Sequence, residues 1–359
     1  MKKKIFIGIA AVLITVILLG LLQTLVMPKY ISNPEGALIE EYYSNKGDHD
    51  VIFVGDCEVY ESFVPSVMWE EYGVTSYIRG SAQQLAWQSY YLLEETLKYE
   101  EPKVVVFNVL ALKYGSPDDP ALGRVDANTG KYEDAFNRMT LDGMRWSTQK
   151  IGAINASMTA EENFIDYLFP LLRYHSRITE LESDDLKYMF ADPDYISDNG
   201  YLIKTGVRPM TSANNEGRPL LDYELPEGAM KYLDKMRDLC AKKGVELVLI
   251  KAPTNSWGYW WYDEWEEQIV KYAAENGLAY YNFIPLCDEM GIDWSTDTYD
   301  EGMHLNVYGA EKLTRYFGQI LVDDHGVQSR KDDAKIAEEW NEHLRLYKEE
   351  KKRLEESEK

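Results

Sequence analysis

An unbroken apolar run near the start limits this chain more than any other feature. After Met1 and three lysines, Lys2 to Lys4, the residues from Ile5 to Met27 are apolar apart from small residues, Thr15, Gln23 and Thr24. A helix of about 20 apolar residues crosses the hydrocarbon core of a bilayer. A secretory signal has a shorter apolar stretch, roughly 7–15 residues, followed by a small-x-small cleavage site. The bulky end Leu22-Gln23-Thr24-Leu25-Val26-Met27 offers no such site, and no cysteine stands near it for lipid attachment. The run is therefore expected to stay in place as a transmembrane anchor over residues 5–27. Lysines favour the cytoplasmic side, so residues 1–4 are expected as a cytoplasmic tip. The rest then forms an extracytoplasmic domain of a single-pass cell-membrane protein.

About 330 residues follow the anchor, enough for one large domain or two average ones with a sizeable core. The formal net charge is −23. Phosphate binding needs a basic face, so nucleic acid is excluded as a partner. Attraction to an anionic wall polymer is disfavoured on the same ground. Cys57, Cys240 and Cys287 are an odd set, so at least one thiol is free and disulfides do not carry the fold. No His pair has ligand spacing and no Gly-rich phosphate loop is present, so neither a metal nor another cofactor is expected.

Residues 28–50 read as a connector with a first helical turn or two. Val51 to Gly55 is a short, continuous apolar run, the pattern of a strand buried on both faces. Val74 to Ile78 and Val104 to Phe107 repeat it, separated by a helical stretch from Gln83 to Tyr99. Residues 112–226 lose this rhythm and read as an insertion or lid, with one helical patch at Glu161 to Tyr174. The alternation resumes with a helix from Met230 to Lys243, a strand from Val245 to Ile250, and a helix from about Trp260 to Asn276. A strand from Leu278 to Phe283 and a helix from about Asn306 to Leu321 complete it. Strands alternating with helices predict a mostly parallel sheet between two helical layers, an α/β domain over residues 51–325. Residues 326–359 are almost all charged, with apolar points at Ile336, Trp340, Leu344, Tyr347 and Leu354, and predict a solvated helical tail.

Sites in open α/β sheets form outside the carboxyl ends of the strands. Gly55-Asp56-Cys57 follows the first strand, Arg79-Gly80-Ser81 the second and Asn108 the third; Asp300-Glu301-Gly302-Met303-His304 precedes the last helix. These are the parts of a nucleophilic catalyst. Cys57 at a helix start is expected to favour thiolate. His304 would take its proton, with Asp300 or Glu301 orienting the imidazole. The Gly80 N–H and the Asn108 side chain would donate to an oxyanion. Arg79 is placed to hold an anionic substrate or Asp56, and an ion pair elsewhere fits it equally.

This order resembles the SGNH (GDSL-type) hydrolase superfamily. There a Gly-Asp-Ser block after the first strand carries the nucleophile, a Gly and an Asn after the next strands serve the oxyanion hole, and Asp-x-x-His supplies acid and base. Gly55-Asp56-Cys57 matches the first block with Cys in place of Ser. Gly80, Asn108 and His304 match the others, and the acid falls at Asp300 or Glu301. The resemblance covers residues 50–110 and 228–322 and implies a three-layer, flavodoxin-like fold. With the anchor, the chain is similar to membrane-anchored SGNH-like proteins of cell-envelope polymer acylation. That implies an O-acyltransferase or esterase acting on a cell-envelope glycan or polymer beside a multi-spanning membrane-bound O-acyltransferase. The Cys also leaves open a degenerate scaffold that binds glycan or that partner.

Three further groups stand out. Trp257, Tyr259, Trp260, Trp261, Tyr262 and Trp265 crowd the stretch after the fourth strand; they suit glycan stacking, above all Trp257, Trp260 and Trp261, or core packing or the lipid interface. Arg173, His175 and Arg177 form a basic group in the insertion. Ser62 and Ser81 are alternative nucleophiles outside the family position, and His49, His325 and His343 are expected to be solvated.

Overall fold

The computed structural model describes residues 2–29, 34–119, 122, 138–190, 197–210 and 216–358. Within the insertion expected at 112–226, residues 120, 121, 123–137, 191–196 and 211–215 lie outside the described residues. Five strands form one sheet: β1 (Val51–Gly55), β2 (Ser76–Gly80), β3 (Val104–Asn108), β4 (Glu246–Lys251) and β5 (Ala279–Asn282). Every pairing is parallel and the order is β2-β1-β3-β4-β5.

Side chains alternate across a strand, and here both faces are covered. Val51, Phe53, Val104, Val106, Val248 and Ile250 meet Val67 and Met68 of helix Pro65–Tyr72 and Leu313, Phe317 and Leu321 of helix Val307–Asp323. Ile52, Val54, Tyr77, Val105, Phe107, Leu247 and Leu249 face the other way. They meet helices Leu38–Asn45, Ala86–Thr96, Glu227–Lys243 and Asp263–Asn276 through Tyr42, Leu93, Leu233 and Ile269. This two-sided burial is why the strands read as continuous apolar runs. The second strand begins later than its apolar run suggests, so Arg79 and Gly80 lie within β2.

Lys2–Val26 is a single helix of 25 residues, long and apolar enough to cross a membrane, and its most apolar stretch is not covered by the rest of the chain. The connector is more structured than its sequence suggests: Leu38–Asn45 buries Leu38, Ile39, Tyr42 and Tyr43. In the insertion, Thr148–Ser157 packs on Ala86–Thr96, and Pro170 splits the expected helical patch into Phe164–Leu168 and Pro170–Tyr174. This part gathers against the end of the N-terminal helix.

The charged tail forms helix Ala334–Ser357, capped by the Asp333 carboxylate. It is not solvated all round. Trp340 and Tyr347, two turns apart, are buried, with Trp340 against Trp69 and the Tyr347 hydroxyl donating to Glu311 (2.7 Å). The histidines differ from expectation in a similar way. His49 is buried against Glu100 (2.7 Å), and His325 bridges Tyr281 and Glu246. His343 is half-buried beside Trp340.

Candidate functional site

The sheet order reverses its winding between β1 and β3, where a crevice opens at the carboxyl ends of parallel strands. At the end of β1, Gly55 faces Gly80 of β2. A side chain at Gly55 would begin 2.5 Å from a Val59 methyl carbon and 3.2 Å from Cβ of Asn108, so the close turn requires glycine. Asp56 then caps the short helix Cys57–Tyr60, accepting from the Glu58 N–H (3.2 Å). Cys57, at the first helical position, is buried.

His304 reaches the same crevice from a loop locked by its own side chains. Thr298 bridges to Leu305, and its hydroxyl accepts from the Gly302 N–H (2.8 Å). Asn306 caps helix Val307–Asp323. Asp300 accepts from the His304 backbone N–H (2.8 Å) through one oxygen and meets Nδ1 at 2.5 Å with the other. Glu61 stands 3.4 Å from the same nitrogen, and the Tyr299 hydroxyl lies 2.9 Å from each Glu61 oxygen. The Tyr299 ring lies parallel to the imidazole and the Tyr259 ring meets it edge-on, with centroids at 6.1 and 5.1 Å. The Tyr259 hydroxyl is 3.2 Å from Cys57 Sγ. The other ring nitrogen of His304, Nε2, is buried and bonds to no protein group among the described residues.

The electrostatics differ from the expected thiolate. Burial pushes the Cys57 thiol up; His304 pulls it down, while Asp56 and Glu61 push it further up. A helix of four residues offers too little dipole to reverse this. Burial works against the imidazolium of His304, but Cys57, Glu61 and the bond to Asp300 together raise its pKa well above the ordinary value. Burial also raises Glu61, against the pull of His304 and Lys204. Burial thus opposes the Cys57 thiolate, while the groups around His304 favour its imidazolium.

Beneath it runs a buried polar floor. The Lys251 ammonium donates to both Glu58 oxygens (2.6 and 2.8 Å) and to the Ala252 carbonyl (2.8 Å). Asn108 donates to Asp56 (3.3 Å) and Glu58 (2.9 Å) and accepts from the Ala252 N–H (3.2 Å). Lys113 lies 5.2 Å from the Tyr259 ring centre, its pKa lowered by burial against the pull of Asp56 and Glu58.

The structure thus brings together Cys57, His304, Asp300 and Asp56, with Gly80 at the neighbouring strand end. Other expected roles are corrected. Both amide N–H bonds of Asn108 are committed to carboxylates, so it does not serve an oxyanion. Arg79 shares the parity of Tyr77 and points into the helical layer away from the site. There it pairs with Glu95 (3.0 Å), donates to the Ile39 carbonyl (3.1 Å) and stacks on Tyr42. Glu301 is exposed toward Arg208 (2.9 Å) and does not orient His304. Trp261 is core, donating to Glu266 (2.9 Å) beside Trp265; Trp260 is half-buried and Trp257 is open to solvent. Ser62 is buried, and Ser81 is buried against Gln84 and Thr140.

Glu61, Tyr299, Glu58 and Lys113 are not among the residues the sequence points to; Lys251 is expected at the end of the fourth strand and Tyr259 in the aromatic stretch after it, neither with a role toward Cys57. For Glu61 a signal existed: it lies four residues after Cys57, one helical turn on, where side chains share a face. No protein-family model matches the chain, and no curated protein matches it.

Proposed function

We propose that the chain is a thiol-dependent acyltransferase or esterase of SGNH-like, flavodoxin-like architecture, held outside the membrane by its N-terminal helix and acting on a cell-envelope glycan or polymer. One observation carries this reading. An imidazole fixed by a carboxylate at 2.5 Å presents an unpartnered buried nitrogen in the crevice that holds Cys57. Nucleophile, base and orienter in that order form an activated nucleophile.

In the reaction, Cys57 yields its proton to Nε2 of His304 while Asp300 stabilises the imidazolium. The sulfur attacks the acyl carbonyl carbon. The donor oxygen leaves, takes the proton from His304 and departs as an alcohol, and a thioester remains on Cys57. A glycan hydroxyl gives its proton to His304 and attacks the thioester, the sulfur leaves, and Cys57 regains the proton. Water in place of the hydroxyl gives hydrolysis. With Asn108 committed, the Gly80 N–H and the Tyr259 hydroxyl are candidate donors for the oxyanion. An acyl donor supplied by a multi-spanning O-acyltransferase fits a site tethered to the membrane.

The burial of the thiol, with Tyr259 against its sulfur, supports a second reading, a non-catalytic scaffold that binds glycan or that partner. The test is cleavage of a short-chain aryl ester by the full-length protein in detergent. The catalytic reading expects turnover that Cys57→Ala and His304→Ala each abolish. Turnover unchanged in both variants would remove the triad, and a wild-type chain inert to all acyl donors would leave the scaffold.

A further inference from the structure

The insertion carries an apolar surface that neither the core nor the candidate site uses. Ile165, Leu168, Phe169, Leu172, Leu186 and Phe190 are all exposed, Leu186 at 60% and Phe190 at 78%. They come from four neighbouring short segments of a strongly acidic chain, and scattered single exposures would need no explanation. Their position is the informative part. Segments Pro170–Tyr174, His175–Thr179 and Ser183–Lys187 contact the N-terminal helix. Arg177 donates to the Val26 carbonyl (2.7 Å) at that helix's last residue while pairing with Asp185 (3.0 Å). A cavity of about 610 Å³ lies between the helix end and this collar, lined by Lys29, Glu40 and Asp142 as well as by Met27, Leu168 and Phe190, a mixture of charged and apolar groups.

A 25-residue helix is about 37 Å long, slightly more than the roughly 30 Å hydrocarbon core. With Lys2 to Lys4 at the opposite surface, its last turn lies at the boundary between acyl chains and headgroups, and the collar grips it there. Side chains at that depth meet acyl chains and headgroups, where Trp, Phe and Leu are favoured. We infer that the collar is a membrane seat: its apolar side chains enter the outer leaflet around the helix, so the domain rests on the bilayer in a fixed pose. This rests on the reading of Lys2–Val26 as a membrane anchor. The occupant is lipid because the surface continues that of the uncovered apolar helix. A seated domain would hold the Cys57 crevice at a constant height above the leaflet.

The test is photo-crosslinking of the full-length chain in vesicles of phosphatidylcholine and phosphatidylglycerol carrying a radiolabelled phospholipid. A benzophenone amino acid replaces Leu172 or Phe190 in the collar, Leu13 in the helix, or Val270, an exposed residue on helix Asp263–Asn276 beside the far sheet edge. The seat predicts lipid adducts from Leu172 and Phe190 comparable to those from Leu13, and background from Val270. Adducts from Leu13 with only background from both collar positions would overturn the seat and leave the anchor standing. Collar crosslinks to a second copy of the chain in place of lipid would also overturn it. Absence of lipid adducts at Leu13 would remove the anchor, and the seat with it.

Discussion

Asp300→Asn is the substitution whose effect the geometry defines most closely. Asp300, itself part-buried, meets Nδ1 of the buried His304 at 2.5 Å. A hydrogen bond to a charged group is worth about 1.5–3 kcal/mol, and each 1.36 kcal/mol is tenfold, so the imidazolium–thiolate state should become rarer by roughly 10- to 150-fold. The corresponding change in a serine-protease triad costs about 10⁴-fold. A smaller loss is expected here because Glu61 waits 3.4 Å from the same nitrogen. The assay is the rate of Cys57 alkylation by iodoacetamide at neutral pH in the full-length protein, with Cys57→Ala as the blank. Glu61→Gln alone should have a small effect. Asp300→Asn combined with Glu61→Gln should lose more than the product of the two single fold-losses, since each carboxylate covers for the other. The reasoning fails if Asp300→Asn alone matches His304→Ala, or if adding Glu61→Gln to it changes nothing.

Two further predictions concern stability of the full-length protein in detergent. Lys251 and Glu58 are an almost fully buried pair. Lys251→Met leaves Glu58 uncompensated and should cost about 3–5 kcal/mol in urea unfolding, while Lys251→Met with Glu58→Gln should recover most of that loss. Asp198, buried and bonded to Ser66, is pushed up by burial to about 6. The folded state holds its proton over a range where the unfolded state has lost it, so Asp198 costs stability as pH rises from about 4 through 6. Relative to Asp198→Asn, the parent chain should lose roughly 3 kcal/mol across that window, and parallel stability curves would refute the assignment.

The strands were legible because two-sided burial leaves short apolar runs, as in Val51–Gly55 and Val104–Asn108. Cys57, His304 and Asp300 were legible because strand-end position and spacing do not depend on packing. Arg79 was misplaced because its apolar run ends at Ile78, which hides that the strand continues and that residue parity sends the side chain to the other face. Asn108 was misassigned because its partners, Asp56 and Glu58, lie 52 and 50 residues away along the chain. Tyr259 and Lys251 reach Cys57 and Glu58 only through the β4 crossover, a contact no local pattern encodes. The thiol was expected to be acidic from its helix position; burial among carboxylates reverses that, and burial is a property of the fold.

The most direct measurement is the intact mass of the full-length protein, and the location of any adduct, after brief exposure to an activated acyl ester. The account predicts one acyl group on Cys57, released by hydroxylamine as a thioester is, and lost in His304→Ala. Acylation elsewhere with Cys57 unmodified, or equal acylation of Cys57 without His304, would contradict a Cys57–His304 catalytic pair.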